Sequence, residues 1–541
     1  TTLGKDQAGS NNYTPTGMSV TAGVGNDSLT DTPTNNHATL NPLKGYSTTF
    51  VTPTNGNLDY SLGGTTSQTF SSTAVGPSGK WYVEITATDA ESGRYCLQTP
   101  EHTAQWDQAF AVIPQSDVRE IKRGSSTIYS SITSIANGDI IGIALDCDNN
   151  TAQAYMNGTS LGNAFSLDSV APDKIYMLNI GRNSSGGGSP SGSVNFGQRA
   201  FSHQPTGFKA WNTANLPAPT ITASDYFNTL LYTGTDTAAN RAVTGVGFQP
   251  DLVWQKRRNG TNWHTIHDSV RGTGKTLFAN DAGSQATNNQ YGYINSFDSD
   301  GFTWNAGSTN NSDGNETNGT FAAWCWKESA TAGFDIVTHN MSSADTDVSI
   351  SHNLGTTPEF ILAKNIDGSD NSWRVYHHKI GTPTTNHLYL DVNNATSSSS
   401  SRVKAVSSSA FTYNANVTGN FIFYLWDSVA GFSKVGKYVG NGANGTGPLI
   451  YTGFRPVFVM GKDTGVDNWF ILDSKRNPYN PVNSHLYPTI PNSENTVAAD
   501  AYDFLSNGFR FSGNGNFMNE SGNNYMYIAF ADTSFKYANA Y

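Results

Sequence analysis

Charge is the scarcest property of this chain. Charged side chains make up 13% of its 541 residues and apolar ones 36%, both below the ~25% and ~45–50% usual in soluble proteins. The formal net charge is −11 and the basic cluster is Lys256-Arg257-Arg258. A phosphate-binding face needs a positive stripe, so nucleic acid is excluded as an expected partner. Cysteine is nearly missing. Cys96, Cys147 and Cys325 are odd in number, far apart and set in strand-like stretches, a pattern of buried thiols rather than of a disulfide framework. No apolar run of 18 residues occurs, so no membrane insertion is expected. Thr1 to Asn36 likewise lacks the apolar core of a signal peptide.

Gly, Ser, Thr and Asn fill the gap, together with 28 Phe, 25 Tyr and 11 Trp spread evenly along the chain. Disorder requires few aromatics. The composition therefore predicts folded, aromatic-rich cores under a neutral polar skin, the kind of surface met on extracellular particles and virions.

One module occurs three times in the second half. The copies read GVGFQPDLVWQKRRNGTNWHTIHD from Gly245, LGTTPEFILAKNIDGSDNSWRVYHH from Leu354 and TGFRPVFVMGKDTGVDNWFILD from Thr452. Each has an anchor proline, Pro250, Pro358 or Pro456, followed by an anchor tryptophan, Trp263, Trp373 or Trp469. Each closes alike, on Asp300-Gly301-Phe302 and FAAWCW, on Ala410-Phe411 and FIFYLW, or on Asn507-Gly508-Phe509 and YMYIAF. A period of about 100 residues suits a small domain with its own core.

The fold class expected is all-β and multidomain. Its parts are an extended arm over 1–44, a β-sandwich over 45–208, a Pro-containing linker over 209–220, and β modules over 221–330, 331–430 and 431–541. In the sandwich, Lys80 to Thr86 puts Trp81, Val83 and Ile85 on one face, the period of a half-buried strand. Asp148-Asn149-Asn150 suits a hairpin turn with positive φ. GKWYVEITAT, GDIIGIALDCDNNTAQAYMNGTSLGNAF and SVNFGQRAF, in that order, resemble the SPRY-type β-sandwich. That resemblance implies a binding scaffold without catalytic machinery, with specificity in loops at one end, here including Glu91 to Gln108 and Arg182 to Ser191. TGVGFQPDLVW, HDSVRG, SFDSDGF and FAAWCWK resemble modules of tailed-phage structural proteins, notably marine ones, which implies a virion protein.

Motifs with chemical meaning are few. Arg271-Gly272-Thr273-Gly274-Lys275-Thr276 ends like a phosphate loop but has Ser269 where the first Gly belongs, and Leu277-Phe278 follows as a strand rather than a helix. It reads as a hairpin turn. Asp146, Asp148 and Asn149 carry oxygens suited to calcium, yet the same acidic turn closes a hairpin. His377-His378 on one strand would point to opposite faces, and His264 and His267 read as packing or surface residues. Glycan hydrolysis needs two carboxylates ~5–10 Å apart. Asp251, Asp268, Asp298, Asp300 and Asp473 all lie in turn-like contexts, with Asp268, His378 and Asp473 at matching places.

No catalytic residue, metal ligand or cofactor is expected. Trp263, Trp373 and Trp469 recur and so read as core anchors. The aromatics read as unrepeated, Trp106, Tyr479 and Tyr487, and the loop residue Arg182 are the candidate contacts, since exposed aromatic rings bind neutral polar ligands at low entropic cost. The expected function is non-enzymatic: a phage tail-fibre or head-fibre protein of the virion surface, attaching to a host glycan or protein receptor. Its partners would be other virion proteins and further copies of itself, since few charges guard its strand edges. A capsid-decoration or tail-scaffold protein is the alternative, and a secreted glycan hydrolase a third reading.

Overall fold

The structure, a computed structural model, describes residues 35–533 apart from 43–50, 64–66, 90–92, 100–108, 115–118, 131, 133–134, 169–173, 183–187, 217, 220, 236–239, 369–371, 400–401, 443–446, 514 and 516. It is all-β, with two short 3-10 turns among the described residues, which divide into two compact units, 35–218 and 219–533.

The first unit is a sandwich of two seven-stranded sheets. Its central strand, Lys80–Asp89, pairs antiparallel with Ile140–Asp146 and Ser191–Asn195. Trp81, Val83 and Ile85 enter one core with Leu97, Val112 and Ile180 of the facing sheet. The strand is buried on its other face as well, which the alternation did not predict. There Tyr82 packs edge-on to Phe201 with centroids 5.1 Å apart, and the Glu84 carboxylate accepts the backbone N–H groups of Ser202 and His203. The hairpin turn is as expected, with Asn150 at φ 50°. Both flanks of the sandwich extend beyond the expected limits. Ala38, Leu40 and Trp211 are buried in its core, Leu40–Asn41 pairs with a strand, and Lys209–Ala210 adds in parallel to Lys80–Asp89. These apolar side chains inside polar segments draw the arm's end and the linker's start into the sheet. The arm over 1–34 lies outside the described residues.

In the second unit each module lays a larger sheet on a three-stranded one. The closing aromatic strands, Thr320–Trp326, Gly419–Trp426 and Asn524–Phe530, lie between the module's first strand and its Pro-led strand. In the first two modules these strands are apolar on both faces because they serve two cores. Ala323 and Cys325, or Phe421, Phe423 and Leu425, face a local core, whereas Trp324 and Trp326, or Tyr424 and Trp426, enter a cluster shared by all three modules. The modules therefore do not each stand on a private core.

The joints repeat cyclically. Gln285 N–H donates to Ile366 O (2.9 Å), Thr396 N–H to Thr464 O (3.0 Å) and Glu494 N–H to Arg258 O (2.7 Å). Trp373 Nε1 donates to Phe278 O (2.9 Å) and Trp469 Nε1 to Tyr389 O (2.6 Å). First meets second, second meets third and third meets first, so the unit is a closed ring.

Candidate binding surface

Strand register reassigns the repeat anchors. Leu252 pairs with Asp268, Phe360 with His377 and Phe458 with Asp473. The prolines two residues before each opening partner, Pro250, Pro358 and Pro456, are all buried. Counting back from the closing partners, the equivalents are His264, Trp373 and Trp469, all fully buried. Trp263 is thus not an anchor. It is 43% exposed, its ring edge-on to Phe278 at 5.0 Å. The equal spacing from Pro250 and Pro456 misleads because the first hairpin turn holds one residue more than the third. His264 fills the anchor place as a neutral ring. Its Nδ1 accepts Trp254 Nε1–H (3.1 Å), and burial with Lys256 nearby holds its pKa far below normal.

The same register moves Tyr487. Leu277, Leu388 and Leu486 pair with Ile266, Val375 and Ile471, so Phe278, Tyr389 and Tyr487 are equivalent. Tyr487 is therefore a repeated joint residue, half-buried against His485 (5.7 Å) and Phe517 (6.1 Å). The residue matching Asp268 and Asp473 is His377 rather than His378.

These three positions join modules. Asp268 and Asp473 hold Arg271 and Arg476 in fully buried ion pairs. Asp268 Oδ2 also accepts Tyr424 O–H from the second module (2.6 Å), and Asp473 Oδ2 accepts Trp324 Nε1–H from the first (3.1 Å). In the second module His377 Nδ1 accepts Lys379 N–H as a carboxylate oxygen does elsewhere, and Nε2 faces Tyr527 O of the third (3.3 Å). Ile380 takes the place of the arginine, so no charge is left unpaired there. Burial pushes the His377 pKa down to about 3.

The other carboxylates considered for hydrolysis have structural partners. Asp251 accepts Ser269 Oγ–H and Glu328 N–H, Asp298 accepts Ser296 and Thr303 hydroxyls, and Asp300 accepts Gly245 and Gly247 N–H groups. Arg271 to Thr276 runs through the turn between the paired strands Thr265–Asp268 and Lys275–Phe278. Asp146 holds Lys80 and Asn149, and Asp148 accepts Gly79 N–H. The three cysteines are free and buried. Among the described residues no group of three His, Cys, Asp or Glu is placed to hold a metal, and no helix is long and apolar enough to cross a membrane.

The burial of three lysines escaped the sequence reading, which took Lys256 as part of a basic cluster, although each stands six residues after an anchor proline. Lys256 donates to Arg257 O and Gly260 O, Lys364 to Ala282 O and Lys462 to Gly465 O. Burial lowers their pKa, to about 7 for Lys256 and about 8 for Lys364. Lys256 and Lys462 latch their own hairpin turns from inside, whereas Lys364 reaches across to the first module.

Tyr479 is different. It is 84% exposed, on a loop between Asp473 and Leu486 that is longer than its counterparts in the other modules. The loop is nevertheless pinned. Asn477 Oδ1 accepts the N–H groups of Asn483 and Ser484, while Asn480 both donates to Phe504 O (3.0 Å) and accepts Phe504 N–H (2.9 Å). The ring is thus presented on a fixed backbone. Arg182 ends the strand Met177–Arg182, half-buried, with its backbone N–H donating to Ser67 O. Trp106 lies outside the described residues.

A family model described as a domain of unknown function (DUF7483) matches residues 222–534. No curated protein matches. Among solved structures, the SPRY domain of human HERC1 is 17% identical with a TM-score of 0.23, over 29% of this chain and 96% of that one. The TRIM65 PSpry domain is 13% identical with a TM-score of 0.23, over 29% and 92%. The carbohydrate-binding module CBM66 from Bacillus subtilis is 14% identical with a TM-score of 0.22, over 29% and 91%.

Proposed function

The chain belongs, through residues 222–534, to the family described as a domain of unknown function, DUF7483, and from that premise we propose a non-enzymatic attachment protein. It is read as a virion appendage component that contacts a host-surface glycan or protein through loops, held among other virion proteins and further copies of itself. The observation that carries this reading is Tyr479, 84% exposed on a loop whose backbone is fixed by Asn477 and Asn480. A large ring held in water has an unfavourable hydration term that a partner removes. Because the loop is already ordered, little backbone entropy is lost on contact.

The test is cell binding. Fluorescently tagged protein should label host cells, and Tyr479→Ala should weaken labelling by about tenfold, the size of a contact worth ~1.4 kcal/mol, with an unchanged thermal midpoint. Labelling of particles alone, with none of cells, replaces attachment by the decoration or scaffold reading.

A further inference from the structure

We propose that Trp263 is the stacking platform of a second contact site, one that takes an uncharged sugar; the proposal rests on the attachment reading and names a ligand class for it. At the same place in the other two modules stand Ser372 and Asn468, polar residues suited to a wet turn. A tryptophan at this spot does nothing for the repeat, since His264 already fills the anchor position. Instead the residue is 43% exposed, on the turn whose Arg258 O accepts Glu494 N–H across the joint that closes the ring.

The ring is held in place before any ligand arrives. Phe278 meets it edge-on at 79°, and the next residue, His264, donates its N–H to Asn280 Oδ1 (2.9 Å). On the same turn Asn259 and Thr261 are exposed and Asn262 is half-buried; each amide spends one N–H inside the fold, Asn259 on Asn318 O and Asn262 on Asp313 Oδ1, and keeps a second donor. The guanidinium groups on the turn are both paired with carboxylates, Arg257 with Glu316 and Arg258 with Glu494 in a two-point contact at 2.8 and 2.9 Å. The turn is therefore rich in amides, and both of its guanidinium groups are paired. An acidic sugar would find its opposite charges already taken, and an apolar protein patch would meet a single ring in polar surroundings. A neutral pyranose matches both features, with its C–H face on the indole and its hydroxyls toward Thr261 and the remaining amide N–H groups.

The experiment uses the full chain on an immobilised panel of neutral hexose and N-acetylhexosamine oligosaccharides and of uronic-acid oligosaccharides. Trp263→Ser and Trp263→Asn copy what the sister modules carry and should fold, with thermal midpoints close to the parent. At least one neutral oligosaccharide should bind, and both variants should weaken it by about tenfold, equivalent to ~1.4 kcal/mol. Trp263→Phe, which keeps a smaller ring, should lose less and remains readable if a polar variant is unstable. Unchanged affinity in the variants, or binding confined to acidic sugars, overturns the proposal. If nothing on the panel binds while cells are still labelled, this site falls and attachment stands. If neutral sugars bind through Trp263 but cells are not labelled, the site stands and attachment falls.

Discussion

At the scale of single residues, the ring depends on a few buried polar groups that tie one module to the next. Asp473 compensates Arg476 and accepts an indole N–H from another module. Asp473→Ala would leave a fully buried guanidinium short of its main counter-charge, with a loss of roughly 3–5 kcal/mol. A fall in the urea midpoint much smaller than this would mean that water or Glu494 takes over. The histidines set a pH dependence. Burial pushes His267 and His377 to about 3, His378 to about 2 and His485 to about 4, whereas in the unfolded chain each titrates near ~6.5. The folded state binds fewer protons, so their stability contribution is intact above that value and is lost as pH falls through it toward the folded values. By pH 5 each should cost up to about 2 kcal/mol. Glu328 and Glu359, both pushed up to about 7 by burial, oppose this by taking protons in the folded state. His387, pushed to about 3, adds to the histidines and Asp313, pushed up to about 6, to the acids; the five histidines outweigh the three acids, so the urea midpoint should fall between pH 7 and pH 5. A flat profile would contradict neutral buried histidines.

At the scale of elements, the Gly-Phe turn that closes each small sheet shows how local geometry selects residues. Gly301 sits at φ 149°, and a Cβ there would lie 2.0 Å from Val243 O; the same contact at Gly508 is 2.0 Å from Ile450 O. In the second module Ala410 occupies the matching place, opposite Ser351. Gly301→Ala should therefore destabilise by more than about 1 kcal/mol, whereas Ala410→Gly should change stability by less. Equal losses would show that all three turns share one geometry. The sequence marked these turns by Gly-Phe and Ala-Phe, but it could not show that the second approaches its partner strand differently.

At the scale of the whole molecule, the shared aromatic cluster makes 219–533 a single cooperative body. Trp326, Trp426 and Phe530 come from three modules, with Trp326 at 6.2 Å from Trp426 and 5.7 Å from Phe530. Calorimetry should show one transition for this unit rather than three, because no module can open without exposing the others' core. A chain ending at 430 should lose that transition while the sandwich, whose core is its own, keeps a separate one. Survival of a folded two-module fragment would show that ring closure adds little.

The sequence by itself determined the all-β class, the three copies, the hairpin turns and the burial of the cysteines. Each rests on local patterns: period-two alternation, turn residues with positive φ, and aromatic runs. It also marked Tyr479 as a candidate contact, because that residue lies outside the repeat. What only the tertiary structure decided is the register inside each hairpin and the partner beyond each module. A one-residue difference in turn length moved the anchor role from Trp263 to His264, and pairing made Tyr487 a repeated joint residue. Spacing counted from a proline cannot detect such a shift, because strand pairing rather than chain distance sets which side chain turns inward. Ring closure was equally hidden, since it depends on contacts such as Asp473 with Trp324 that lie 149 residues apart.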